Sequence, residues 1–109
     1  MYLGLLDKDY REVVSNRYCL ADTFFKVSPH RDDRYTFSLV NTTWINWPIN
    51  CVGEQHIVYV AWFHEADDTR MAYWCPLKIN TNPVKNFDTV VLQPGKLTMD
   101  IKLNQQVPA

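Results

Sequence analysis

Apolar and polar residues alternate one by one through much of this chain, and the 3.6-residue rhythm of an amphipathic helix is nearly absent. Residues 96–103 carry the pattern most cleanly. Leu97, Met99, Ile101 and Leu103 fall on one side and Lys96, Thr98, Asp100 and Lys102 on the other, which predicts a strand with one face on a core and one in water. Residues 34–41 repeat it, with Tyr35, Phe37 and Leu39 opposite Arg34, Thr36 and Ser38. The segments 2–6 and 10–14 flank Asp7-Lys8-Asp9, a polar turn-former, and so predict a hairpin. Residues 18–27 form a weaker strand, ended by Ser28-Pro29 and the charged loop His30-Arg31-Asp32-Asp33.

The centre differs. Residues 56–64 are apolar on both sides, Ile57, Tyr59, Ala61 and Phe63 against Val58, Val60 and Trp62. Such a strand lies centrally in a sandwich or shows its second face to a partner. The loop Glu65 to Arg70 leads to a return strand over 71–79, which Pro76 marks as an edge or a bulge. Asn82-Pro83 makes a turn, residues 87–92 a strand, and Gln93-Pro94-Gly95-Lys96 a tight turn with Pro-Gly at its two central positions. About seven to eight short antiparallel strands at this spacing predict an all-β chain, a single-domain β-sandwich or jelly roll. The domain covers residues 1–103, and 104–109 form a tail.

Composition narrows the picture further. The 109 residues suffice for one domain with one core, and a net charge of −1 excludes a generally basic nucleic-acid binder. Three scattered glycines leave no phosphate-cradling loop. Cys19, Cys51 and Cys75 make no C-x-x-C pair and no even-numbered framework, so they read as three reduced thiols, each a small buried hydrophobe. The N-terminal residues resemble neither a signal peptide nor a membrane anchor, which places folding in a reducing cytoplasm. Asn41-Thr42-Thr43 matches the glycosylation pattern, and without a secretory signal the match carries little.

Candidate chemistry is thin. His56 and His64, eight positions apart on one strand, are about 26 Å apart and cannot share a metal. His30 lies in a charged loop, and no metal-ligand spacing occurs. Asp7, Asp9 and Glu12 resemble half of a calcium loop whose glycine and final glutamate are missing, and read better as a charged turn. No serine sits in a nucleophile elbow. The reading is therefore a non-enzyme with no cofactor and no metal.

The aromatics remain: four Trp, six Tyr and five Phe. Trp44-Ile45-Asn46-Trp47-Pro48-Ile49 reads as a loop or irregular strand whose rings either anchor a partner or plug one end of the core. Trp62 and Trp74 are placed to pair across the central hairpin. Trp44, Ile45, Trp47, Pro48, Trp62 and Trp74 are the interface candidates. Lys and Arg are almost absent around these tryptophans, which argues against nucleic acid.

Several segments, the opening YLGLLDKDYREV, the pair Trp47-Pro48, the hairpin IVYVAWFHEADDTRMAYWCPL and the closing NPVKNFDTVVLQPGKLTMDIKL, resemble small β-structured virion proteins of tailed bacteriophages. Together they span most of residues 2–103, while 15–43 match nothing of that kind. The resemblance implies a capsid cement or decoration protein, or a tail or fibre adaptor, with no catalytic residues. It implies a virion location after assembly in the host cytoplasm, and a homodimer or homotrimer. The partner it implies is the major capsid protein or another virion protein, with neither nucleic acid nor membrane as ligand. A small carbohydrate-binding β-sandwich, using Trp44 and Trp47 as sugar platforms, is the alternative from another class.

Overall fold

The computed structural model describes residues 1–20, 25–29, 36–77, 79 and 82–102. Among them are nine strands and no helix: β1 (Tyr2–Leu6), β2 (Tyr18–Cys19), β3 (Phe25–Pro29), β4 (Thr36–Asn41), β5 (Ile45–Pro48), β6 (Tyr59–Phe63), β7 (Tyr73–Pro76), β8 (Thr89–Leu92) and β9 (Thr98–Lys102). Every pairing is antiparallel. The chain is all-β. Its strands divide among a four-stranded sheet ordered β2-β1-β6-β7, a three-stranded sheet ordered β3-β4-β9, and a β5-β8 ribbon. Where a sandwich or jelly roll would have two sheets, these three share one core. Leu3, Leu5, Val60 and Cys75 come from the first, Met99 with Phe37 and Leu39 from the second, and Ile45, Trp47, Val90 and Leu92 from the ribbon.

The clearest alternation folds as it reads. Leu97 and Met99 are buried, Thr98 and Asp100 exposed, and β9 pairs with β4 from Thr36↔Lys102 to Val40↔Thr98. The turn before it closes with the Lys96 N–H donating to the Gln93 carbonyl at 3.0 Å, Gly95 taking φ +86° as a type II turn requires. Asn41 ties this turn to the end of β4. Its carboxamide donates to the carbonyls of Thr43 (2.8 Å) and Gln93 (3.0 Å) and accepts from the Leu97 N–H (2.9 Å). Asn41 is fully enclosed, so the glycosylation triplet is a structural pin and not an acceptor site in the folded chain.

Other expectations need correction. Residues 10–14 do not form a strand. After the turn they keep one bridge, Leu6↔Glu12, and one bond from the Val13 N–H to the Leu5 carbonyl, because β1 spends its two edges on β2 and β6. The stretch 18–27 splits into β2 and β3, and β8 begins at Thr89 rather than at residue 87. Residues 44–49, read as loop or irregular strand, contain the regular strand β5. Cys51 and Cys75 are buried thiols, but Cys19 is exposed on the edge strand β2. His30 to Asp33 and the tail 104–109 lie outside the described residues.

Strand β6 is interior to its sheet, and the chain itself covers both of its apolar faces. Val60 and Trp62 look into the main core. Ala61 and Phe63 join Leu6 in a second cluster, packed by Tyr2, Tyr10, Tyr59 and Met71. Over that cluster the Arg17 guanidinium lies 3.5 Å from the Phe63 ring centroid. It also donates two 2.9 Å bonds to the Glu12 carboxylate and reaches the carbonyls of Glu65, Ala66 and Asp68. One cation thus fastens the β6-β7 loop to the segment after β1. The face that could have met a partner is sealed from within. At the sheet's outer edge, Pro76 ends β7 where its missing N–H has no ladder to serve.

Candidate functional site

The ribbon β5-β8 supplies the surface. Its register, Ile45↔Leu92, Asn46↔Val91, Trp47↔Val90 and Pro48↔Thr89, separates two faces by the period of two. Ile45, Trp47, Ile49, Val90 and Leu92 point into the core and are buried. Trp44, Asn46, Pro48, Thr89, Val91 and Gln93 occupy the other parity and are all exposed. None of these six is charged, in a chain of which 21% is. Charge depletion with an aromatic residue at hand is the composition of the buried centre of a protein interface.

The six candidates from the sequence therefore separate. Trp44 is 55% exposed and lies diagonal to Val91, itself 49% exposed, while Pro48 is exposed further along the same face. Ile45 and Trp47 are corrections: both are core. Trp47 is 1% exposed, packs on Tyr18 at 5.7 Å between centroids, and donates its indole N–H to the Asn16 carbonyl at 3.1 Å. Burying about 200 Å² of indole at about 25 cal/mol per Å² amounts to ~5 kcal/mol of transfer free energy, so Trp47 is stability and not recognition. Trp62 and Trp74 do not pair across the hairpin, since Trp62 opposes Tyr73 and Trp74 opposes Ala61. Adjacent register positions face opposite ways. Trp62 stacks on Phe25 at 6.2 Å, and Trp74 meets Tyr10 and Tyr59 edge-on at 5.1 and 5.3 Å. Both indole N–H groups are enclosed with no partner among the described residues, so neither tip is offered to a ligand.

Beyond Pro48 the ribbon ends in an aromatic residue, Phe87, which lies before β8 and not within it. The Phe87 N–H donates to the Ile49 carbonyl at 3.0 Å, and the Ile49 N–H donates to the Asp88 carbonyl at 2.8 Å. Two residues oppose one, which is a G1 bulge with Phe87 in the position that ordinarily needs glycine. The turn Lys85 to Asp88 closes with the Asp88 N–H on the Lys85 carbonyl at 3.1 Å, and the Asp88 carboxylate accepts from the Lys85 N–H at 2.9 Å. Phe87 has φ +72° and is 90% exposed. A left-handed non-glycine residue costs about 1–2 kcal/mol, and an uncovered ring gains almost nothing from burial. Both terms oppose phenylalanine here on stability grounds.

Beside Phe87 is an open cleft of about 390 Å³ lined by Asn16, Pro48, Ile49, Asn50, Asn86 and Phe87. Asn16 is built into its wall, donating to the Pro48 carbonyl and accepting from the Asn50 N–H at 2.9 Å. Ser15 completes that clasp through its N–H and hydroxyl, both on the Asn50 carbonyl. The Asn86 side-chain Oδ1 accepts from the Cys51 N–H at 3.3 Å. These contacts cross 32 to 35 positions of sequence, so spacing could not have revealed the cleft. The alternation Trp44/Asn46/Pro48 against Ile45/Trp47/Ile49 was in the sequence and would have told Trp44 from Trp47.

Burial pushes the Asp7 carboxyl up, but the N–H groups of Arg11 and Asp9 and the Arg11 guanidinium outweigh it and hold it below the usual carboxylate value. His56 and His64 are exposed, and no group of three or more His, Cys, Asp or Glu converges among the described residues. Comparison with known proteins finds no matching family model, no matching curated protein and no matching solved structure.

Proposed function

We propose that this chain is a non-enzymatic structural protein of a tailed-bacteriophage virion, a capsid cement or decoration protein that docks on the major capsid protein. The observation that supports docking is the uncharged outward face of the β5-β8 ribbon, with Trp44 and, diagonal to it, Val91 exposed. Tryptophan in a patch free of charge is the residue that most often dominates a binding free energy when a partner covers it. The virion assignment draws on the resemblance of the opening, central-hairpin and closing segments to small β-structured virion proteins. A tail or fibre adaptor in the same particle would use the same face. A sugar platform made of Trp44 and Trp47 together loses its support, because Trp47 is buried.

Co-sedimentation with purified virions and their isolated shells tests this reading. The protein is expected to migrate with shells, and Trp44→Ala to weaken binding by about 2 kcal/mol or more, some thirtyfold, with an unchanged melting temperature. Binding to tails alone would favour the adaptor. A protein that stays at the top of the gradient with every particle fraction would sink both.

A further inference from the structure

We infer that the cleft beside Phe87 is a binding subsite for a neutral sugar ring, separate from the docking end of the ribbon. Phe87 stands at a bulge position that favours glycine, with φ +72°, and the residue is 90% exposed. Bulges re-aim side chains next to functional sites, and a strained residue with no internal contact to account for it marks such a site. The cleft it borders has about 390 Å³, within the range that takes a small ligand.

The lining selects the ligand class. No charged side chain contributes to it, so neither an anion nor a cation is favoured. Its polar groups are carboxamides. Asn16 is held rigid by its bonds to Pro48 and Asn50, Asn86 keeps its amino group after accepting from Cys51, and the exposed Asn50 side chain has no hydrogen bond among the described residues. Carboxamides donate and accept together, as sugar hydroxyls do. A pyranose has a C–H face to lay on the Phe87 ring and a hydroxyl rim to meet Asn50 and Asn86. An apolar side chain from a protein partner would cover the same ring but leave the amides dehydrated and unpaired. Trp44 lies six positions from Asn50 along the same strand direction, about 20 Å away, so a docked partner at that end leaves the cleft open.

The test is a ¹⁵N NMR titration of the full chain with maltotriose, cellotriose and triacetylchitotriose at millimolar concentration. The amide signals of Asn50, Asn86 and Phe87 are expected to move with at least one of the three. Phe87→Gly suits the backbone better than the native residue, so it keeps the fold while removing the ring. Its affinity for the same trisaccharide should fall about tenfold or more. Trp44→Ala should bind the sugar as the wild type does, which separates this site from the docking face whatever becomes of the virion reading. If none of the three sugars shifts these signals, if Phe87→Gly responds like the wild type, or if Trp44→Ala loses the sugar, the subsite is not there.

Discussion

Tyr10 and Phe87 hold the same backbone position, the first residue of a G1 bulge, and only one of them has its ring covered. At the turn after β1 the Tyr10 N–H donates to the Asp7 carbonyl and the Asp7 N–H to the Arg11 carbonyl, with Tyr10 at φ +61°. Its ring stacks on Tyr59 at 4.6 Å and meets Trp74 edge-on at 5.1 Å. Phe87, with φ +72°, has no ring contact among the described residues and is 90% exposed. Each left-handed aromatic is strained by a similar amount, but Tyr10 recovers that cost through two aromatic pairs of about 0.5–1.5 kcal/mol each.

The same substitution should therefore have opposite effects at the two sites. Phe87→Gly is expected to stabilise the fold by about 0.5–1 kcal/mol, the strain relieved less the entropy glycine restores to the unfolded chain. Tyr10→Gly should destabilise it by about 1–2 kcal/mol. Urea denaturation of the two variants decides this. Equal signs would mean that the ring contacts of Tyr10 do not balance its backbone strain.

Arg17 should not tolerate lysine. Its fork meets both oxygens of Glu12 while its plane covers Phe63 and its remaining donors hold the carbonyls of Glu65, Ala66 and Asp68. An ammonium keeps the charge but can neither bridge the carboxylate nor stack flat on the ring. Arg17→Lys is expected to cost about 2 kcal/mol and to raise amide hydrogen exchange in residues 65–70. Unchanged exchange there would show that the loop holds itself in place.

What the sequence made legible was strand content, because period-two alternation is local and each residue reports its own side. The burial of Leu97 and Met99 and the turn at Pro94-Gly95 needed no tertiary knowledge. The same rule, applied through Trp44 to Ile49, separates an exposed tryptophan from a buried one, but Pro48 drew that segment toward a loop reading. Pro48 sits at the end of β5, where the strand ladder no longer depends on its N–H. Arg17 and the cleft were not legible, since their contacts join residues 5 to 51 positions apart. Nor was Phe87, because nothing in Lys85-Asn86-Phe87-Asp88 announces a bulge that ordinarily uses glycine.

Asn41 makes a third test, of polar satisfaction inside the core. Asn41→Asp keeps the shape and the acceptor for the Leu97 N–H but removes the donor to the Thr43 and Gln93 carbonyls and places a carboxylate in an enclosed site. A buried unpaired group of this kind costs about 2–3 kcal/mol or more at neutral pH. The loss should shrink as pH falls and the new carboxyl is protonated. A variant as stable as the wild type at pH 7 would mean that water reaches this side chain.

Asp7 is expected to contribute to the acid limb of stability. Its carboxyl accepts from the N–H groups of Asp9 (2.9 Å) and Arg11 (3.0 Å) and faces the Arg11 guanidinium at 3.3 Å, which lowers its folded pKa below the ordinary 3.8. A group whose pKa is depressed by folding contributes its full stabilisation above the unfolded value and loses it as pH falls through the folded one. Stability should thus decline below about pH 4, and Asp7→Asn should flatten that part of the curve while lowering stability at pH 7. Parallel curves for the two proteins below pH 4 would assign the acid limb to other carboxylates.

The thiols give the last test, of the placement of β2, β7 and the segment after β5. Cys19 is exposed on β2, Cys51 is buried beside Gly53, whose carbonyl its thiol meets at 3.5 Å, and Cys75 is buried on β7. Burial pushes the Cys75 thiol up to about 12, more than the N–H of Asp100 can offset, so at pH 8 it carries almost no thiolate. A folded-state pKa above the unfolded one means that this thiol begins to destabilise the fold as pH rises past the unfolded value. Iodoacetamide at pH 8 should alkylate Cys19 within minutes and leave Cys51 and Cys75 intact, as peptide mass mapping would show, and urea should expose all three. Prompt labelling of Cys75 in the native protein would mean that β7 opens from β6 far more readily than its place against the core allows.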